Sequence, residues 1–367
     1  MRRLGEIDWD FPTQPSESAF AALHWHPCRF PSQIPSIVIA RLTKPGEVVL
    51  DPFSGSATTL VEAQRLGRRS IGVDVNPISC LIADAKTLQV SAAQIGREIE
   101  GLELRLARDW ESIVPANLPD TVQPDKWYTT STLSSLLKLW AVIEADQSDA
   151  RPLFQAAFSS ILLSACRETR HWGYICDNTT PKSSREANAL DLFRSALSKF
   201  ARAYKARDDY WSKAIPDAQV YCGDASKCLG ELPSNHCSLL VTSPPYQGVA
   251  DYVKAQRLSM EWFAFEIEPF RKSEIGARSK RHRKQSSAAY LKELENVFAE
   301  SYRVLRPGAL GVIIFGQSPA RADCEKEFVE RLHHVGFSVE LERKRLIPAG
   351  RRLPPSVLDE TVLVVRK

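Results

Sequence analysis

The sequence predicts an α/β protein built on a parallel sheet and interrupted by a large helical insertion. Two stretches carry the sheet: "PGEVVLDPFSGSATTLVEAQRLGRRSIGVDVNP" from Pro45, and "AQVYCGDASKCLGELPSNHCSLLVTSPPYQG" from Ala218. Each alternates short apolar runs with loops and helical spacing, the pattern of strands joined by crossover helices. Between them, residues 91–214 lose the strand signal and read as helices interrupted by a linker at "VPANLPDTVQPDKWY" and a candidate substrate-facing loop at "HWGYICDNTTPKSS".

The first stretch reads as a turn, a buried strand over Glu47 to Leu50, a glycine-containing loop, a helix from Thr58 to Leu66 and a second strand from Ser70 to Val73. Gly55 lets the loop backbone approach a ligand, and the helix amides behind it face anionic or polar groups. Asp74 ends the second strand about 20 residues past the loop, where a carboxylate can accept both hydroxyls of a ribose. Capping the turn before Pro77 is its plainer use. The loop lacks G-x-G-x-x-G and lacks a triphosphate-binding lysine. Asp51 at its head would repel a pyrophosphate and suits a cationic amino group. An aminoacyl nucleoside fits better than a dinucleotide.

The interrupting segment contains "IGREIEGLELRLARDWESI", "TSTLSSLLKLWAVIEA", "PLFQAAFSSILLSACRETR" and "EANALDLFRSALSKFARAYKARDDYW", four or five helices by apolar spacing. Three regions result: 1–90 with the first part of the sheet, 91–214 as helical insertion and candidate target-recognition unit, and 215–367 with the rest of the sheet. Within the insertion, Trp127, Tyr128, Trp172 and Tyr174 stand beside Lys126, Arg167, Arg170 and His171. They suit either stacking on nucleic acid or a core with a solvated charged face.

In the second stretch Gln219 to Cys222 and Leu239 to Thr242 read as strands, with Asp224 after the first. Asp224 is placed to accept from an adenine amino group or to cap the next helix. Ser243, Pro244, Pro245 and Tyr246 follow the other strand, and ligands in open α/β sheets bind beyond such strand ends. The prolines set φ and remove amide donors, so the turn aims acceptors. Ser243 and the Pro244 carbonyl can take the two hydrogens of an exocyclic nucleobase amine, freeing the nitrogen lone pair for an electrophilic methyl group. Tyr246 can stack on a base that has left the duplex. Neither a metal nor a cysteine nucleophile is needed.

"DPFSGSATT", "GVDVNP" and "TSPPY" together resemble the amino-directed branch of the S-adenosylmethionine-dependent DNA methyltransferases, over about residues 24–87 and 218–316. The resemblance implies a Rossmann-like class I methyltransferase sheet and S-adenosyl-L-methionine as cofactor. It places Asp51, Phe53, Gly55, Thr58 and Thr59 against the methionine part and Asp74 on the ribose. The segment "HWHPCRFPSQIPSIVI" resembles the one that packs over the methionine end, which places Arg29 and Phe30 there. Ser before Pro-Pro-Tyr is usual in cytosine-N4 enzymes, whereas Asp or Asn is common in adenine-N6 enzymes. The expectation is therefore a site-specific methyltransferase acting on the N4 amine of a flipped cytosine, with adenine-N6, RNA amino-methylation or a catalytically silent nucleic-acid-binding protein as alternatives. One departure is Ala57, where the family carries a second glycine: an L residue is strained at positive φ but tolerated at a helix entry. The cofactor loop also precedes the catalytic turn, opposite to the permuted order of many restriction-system enzymes.

Past the turn, "VADYVKAQRLSMEWFAFEI" reads as one helix carrying Arg257 toward the site. The stretch from Arg271 to Ser287 holds Arg278, Lys280, Arg281, Arg283 and Lys284, a charge run suited to phosphates. Arg351 and Arg352 add to it. A helix, a Pro-Gly turn and a strand follow, and "ETVLVVRK" reads as an edge or returning strand. The 367 residues carry a net charge of +4 and a pI near 8.6, too weak a balance to indicate polyanions alone. Eight scattered cysteines without short paired spacing suggest free thiols. With no signal-like or membrane-length apolar segment, the expectation is a cytoplasmic monomer or weak dimer acting on double-stranded DNA, with a cognate restriction endonuclease as a further candidate partner.

Overall fold

The computed structural model describes residues 2–11, 19–27, 30–118, 123–167, 181, 185–211, 215–277, 286–316, 324–347 and 357–367. Its seven strands are β1 (Val48–Asp51), β2 (Arg69–Asp74), β3 (Ala218–Cys222), β4 (Cys237–Thr242), β5 (Leu305–Gly316), β6 (Ser338–Leu346) and β7 (Asp359–Arg366). They form one sheet in the order β3-β2-β1-β4-β5-β7-β6. The pairs from β3 to β5 are parallel, and β7 runs antiparallel to both neighbours. This is the Rossmann-like class I methyltransferase sheet.

β1, with the sequence VVLD, is buried along its length because helices cover both faces of the central sheet. Strand order reverses between β1 and β4, opening a crevice at their carboxyl ends, where both predicted motifs emerge. β7 is interior, inserted between β5 and β6, and is not an edge. Its run from Glu360 to Val365 is buried on both faces, which an edge strand would leave half wet. β6 takes the edge and carries alternating charges.

The insertion forms helices Ala92–Asp109, Pro124–Trp127, Thr130–Glu144, Arg151–Ala165 and Ala189–Tyr210. Three start on side-chain caps, with Ser91, Thr129 and Asn188 accepting from the amides of Gln94, Thr132 and Asp191. Their apolar core is continuous with Val61 and Ala85, on the helices that follow β1 and β2. Trp127 and Tyr128 lie inside that core, at 0% and 2% exposure, so their stacking role on nucleic acid is not available. Trp172, Tyr174, Arg170 and His171 lie outside the described residues.

The segment after the Ser-Pro-Pro-Tyr turn is two short helices, Tyr252–Ala255 and Arg257–Trp262, where one was expected. The break falls at Gln256, which leaves helical geometry at φ −105° and donates its side-chain amide to the Trp25 carbonyl at 3.1 Å. A tertiary contact outweighs helical continuity at this position.

Candidate active site

The loop after β1 is held from behind and from above. The Ser54 amide donates to the Val73 carbonyl at 2.9 Å, and the Gly55 amide donates to Asp74 Oδ2 at 2.9 Å. Gly55 sits at φ +48°, and a Cβ there would lie 3.3 Å from the His26 ring. Glycine is required by backbone conformation and by closeness together. Ala57 stands just before the helix Thr58–Arg65 at φ +66° and ψ 30°, so it is both a helix entry and a left-handed residue. Its buried methyl packs with Leu60 and Ala83. That burial offsets part of the strain.

Asp74 lies at the end of β2 with Oδ2 on the Gly55 amide and Oδ1 on the Asn76 amide at 2.8 Å. Burial pushes its carboxyl up to about 6; the two amides and the Ser79 hydroxyl oppose the rise, and neighbouring Asp51 adds to it. Each oxygen keeps acceptor capacity beyond its one amide. Asp224, after β3, accepts from the Ser226 amide at 2.9 Å, the Ser226 hydroxyl at 2.6 Å and the Lys227 amide at 3.3 Å, all on Oδ1. The capping use is therefore realised, and it occupies one oxygen.

Phe30, Phe53, Gly55, Thr58, Asp74 and Asp224 line one cavity, and Ser243, Pro244, Pro245 and Tyr246 line the same one. It spans about 940 Å³ including its open mouth. Asp51 and Thr59 lie behind this wall, at 1% and 0% exposure, which corrects their expected contact with a ligand. The Thr242 hydroxyl donates to Asp51 Oδ1 at 2.7 Å, and the Thr59 hydroxyl reaches the Val241 carbonyl at 3.5 Å. Both residues tie the loop after β1 to the strand that carries the Ser-Pro-Pro-Tyr turn. Burial raises the Asp51 carboxyl to about 6, against the Thr59 and Thr242 hydroxyls and the Phe53 amide.

The turn itself presents acceptors. The Tyr290 hydroxyl donates to the Pro245 carbonyl at 2.9 Å, whereas among the described residues no hydrogen bond reaches the Pro244 carbonyl. Ser243 Oγ lies 3.2 Å from the Tyr246 hydroxyl. Tyr246 packs its ring on Gly316, where a Cβ would fall 2.2 Å from the ring.

The family model described as a DNA methylase, of the N6/N4 type, matches residues 6–84. The Type II methyltransferase M.MvaI of Kocuria varians is 27% identical over 237 residues, 59% of this chain and 51% of that protein. M.BsoBI of Geobacillus stearothermophilus is 23% identical over 292 residues, 71% of this chain and 57% of the relative. M.Cfr9I of Citrobacter freundii is 35% identical over 92 residues, 23% and 29% of the two chains. Residues 6–84 are thus similar to the amino-directed DNA methylases, and longer stretches of the chain are similar to Type II methyltransferases. The chain spans about half the length of the two relatives that it matches over the longest stretches.

Around this cavity several residues carry no signal in the sequence. His26 covers the loop: Nδ1 donates to the Pro27 carbonyl at 2.9 Å, Nε2 stands 3.1 Å from the Ser79 hydroxyl, and the ring stacks on Tyr252 with centroids 6.4 Å apart. Lys86, 2% exposed, donates to the Ser56 carbonyl at 2.9 Å. The Glu274 carboxylate accepts the Tyr252 amide at 2.5 Å at the opposite wall. In sequence Lys86 is an ordinary last-turn cation and Glu274 one charge within a basic run, so neither carries a signal. Arg257, expected to contact DNA, pairs with Glu261 one turn on at 2.6 Å. Arg29, Arg278, Lys280, Arg281, Arg283, Lys284, Arg351 and Arg352 lie outside the described residues. No described helix is long and apolar enough to cross a membrane.

Proposed function

We propose that the protein transfers a methyl group from S-adenosyl-L-methionine to the exocyclic N4 amine of a cytosine flipped out of double-stranded DNA. The observation that carries this reading is the meeting of Asp74 and the Gly55 loop with Ser243 and the Pro244 carbonyl in one cavity. A carboxylate for ribose hydroxyls and a pair of acceptors for an amine then face one another across a single space.

The bound cofactor supplies an electrophilic methyl group. Asp74 would accept the ribose hydroxyls while keeping the Gly55 amide, Asp224 has a second oxygen left for the adenine amine, and Phe30, Phe53 and Thr58 would border the rest of the cofactor. Ser243 Oγ and the Pro244 carbonyl each accept one hydrogen of the target amine, and the Tyr246 ring borders the base. Held so, the amine nitrogen would have its lone pair free to form the N–C bond as the sulfonium S–C bond breaks, the thioether leaving and one amine proton passing to solvent; orientation and fixed dipoles would supply the rate. The serine before Pro-Pro-Tyr favours cytosine N4 over adenine N6. Residues 91–214 are proposed to select the target sequence, and the basic residues between 271 and 287 to follow phosphates.

Purified protein incubated with methyl-labelled S-adenosylmethionine and mixed-sequence duplex DNA, followed by digestion to nucleosides, tests this. N4-methyldeoxycytidine is the expected product. N6-methyldeoxyadenosine corrects the base, and label in RNA alone rejects the DNA reading.

A further inference from the structure

The hydroxyl of Ser243 belongs to a chain of groups that runs away from the cavity into β7, β6 and the amino-terminal segment. Its oxygen lies 3.2 Å from the Tyr246 hydroxyl, and the Tyr246 hydroxyl lies 2.6 Å from Glu360 Oε1. The other Glu360 oxygen takes the Arg345 guanidinium in an ion pair with both side chains buried. Arg345 Nε donates to the Trp9 carbonyl at 2.9 Å, which fixes the far end. The ring is fixed as well, because it fills the space above Gly316.

The direction of every hydrogen bond in this chain follows from its inner end. Arg345 has only donors, so the Glu360 oxygen facing it accepts. A carboxylate has only acceptors, so the Tyr246 hydroxyl must give its proton to Glu360. The phenolic oxygen is then an acceptor, and the proton of Ser243 is committed to it. What Ser243 turns toward the cavity is lone pairs alone.

Resting on the amine-methylating reading above, we propose that Glu360, fixed by Arg345 and acting through Tyr246, is a positioning residue that sets the polarity of Ser243 as a hydrogen-bond acceptor. A serine hydroxyl left to rotate can donate as readily as accept. Polarised in this way it welcomes an N–H donor and opposes a carbonyl oxygen. The consequence is selection between bases: cytosine and adenine present an amino group at this edge, whereas thymine and guanine present O4 and O6 acceptors. Glu360 does not line the cavity, and its effect reaches the site through the phenol.

The test has a spectroscopic and a kinetic arm. Protein carrying tyrosine labelled with carbon-13 at Cζ shows its nine tyrosines, and loss of one resonance in Tyr246→Phe assigns Tyr246. Donation to a carboxylate moves Cζ downfield, so Glu360→Gln is expected to shift that resonance upfield; an unmoved resonance overturns the proposal. Should Glu360→Gln fail to fold, Ser243→Ala removes the donor on the other side, with a downfield shift expected and an unmoved signal again overturning it. In the kinetic arm, with labelled S-adenosylmethionine and duplex DNA, Tyr246→Phe lowers kcat about tenfold, the equivalent of one ordinary hydrogen bond, and leaves the cofactor Kd unchanged. Adding Glu360→Gln to Tyr246→Phe then causes no further loss, because the path is already cut. Independent, multiplying losses place Glu360 in a merely structural role. A wild-type protein that methylates no duplex DNA rejects the functional reading, while the Tyr246 resonance still decides the hydrogen-bond chain.

Discussion

Asp74 Oδ2 accepts the amide of Gly55 at 2.9 Å, joining the end of β2 to the loop that follows β1. One carboxylate thus shapes the loop and faces the cavity. Asp74→Ala is expected to weaken S-adenosylmethionine binding at least tenfold, since it removes acceptors for two hydroxyls and the anchor of a backbone donor, each worth about 1 kcal/mol or more. Isothermal titration measures it, and an unchanged Kd rejects the ribose assignment. The same titration has a pH signature. Hydroxyl donors favour the ionised carboxyl, whose resting value is raised to about 6, so affinity falls as pH drops through that value.

Ala57 occupies a position at φ +66° where glycine would be unstrained. Relief of left-handed strain favours Ala57→Gly by about 1–2 kcal/mol. Loss of a buried methyl opposes it by about 0.8 kcal/mol, and the looser unfolded chain by roughly 0.4–1 kcal/mol. The terms nearly cancel, so the variant should unfold within about 1 kcal/mol of wild type in urea and bind cofactor with equal affinity. A large gain in affinity would mean that alanine disables the loop.

Lys86 reaches the Ser56 carbonyl from the helix Pro77–Thr87 with its ammonium buried. Lys86→Met keeps the stem and removes the donor, leaving a carbonyl unsatisfied at a cost of about 1–3 kcal/mol. Chemical denaturation should show that loss, with weaker cofactor binding alongside it. Full stability would make this contact incidental to the loop.

Asp51 is almost fully buried, and its folded value of about 6 exceeds the ordinary 3.8. A carboxyl raised on folding binds its proton more tightly in the folded chain. The linked stability is complete below 3.8 and is lost as pH rises through about 6, a total of about 3 kcal/mol for a rise of that size. Asp51→Asn stays neutral while still accepting from Thr242, so the gap between variant and wild-type stability should widen in the variant's favour from about pH 4 to about pH 7. Parallel curves would contradict the burial argument.

Local patterns made the cofactor side legible. Gly55 and Asp74 stand at a spacing that strand–loop–helix–strand geometry dictates, and the apolar runs of β1 and β4 announce buried parallel strands. The Ser-Pro-Pro-Tyr turn was readable because proline restricts its own backbone. What stayed hidden depends on distant pairing. Glu360 sits in a strand that pairs between β5 and β6, and no local pattern in "DETVLVV" reveals that its carboxyl meets Tyr246. Asp51 was read as facing a ligand because strand ends usually do; its inward turn depends on Thr242, 191 residues away. The helix break at Gln256 likewise follows from a contact with Trp25.

Ser243→Ala tests the central claim most directly, measured as kcat on duplex DNA together with the Kd for S-adenosylmethionine on the same preparation. Removing one of two acceptors for the target amine should lower kcat tenfold to a hundredfold, about 1.4–2.8 kcal/mol of transition-state stabilisation, and leave the cofactor Kd unchanged. Equal losses in kcat and in cofactor binding, or no loss in either, would contradict the assignment of Ser243 to the amine.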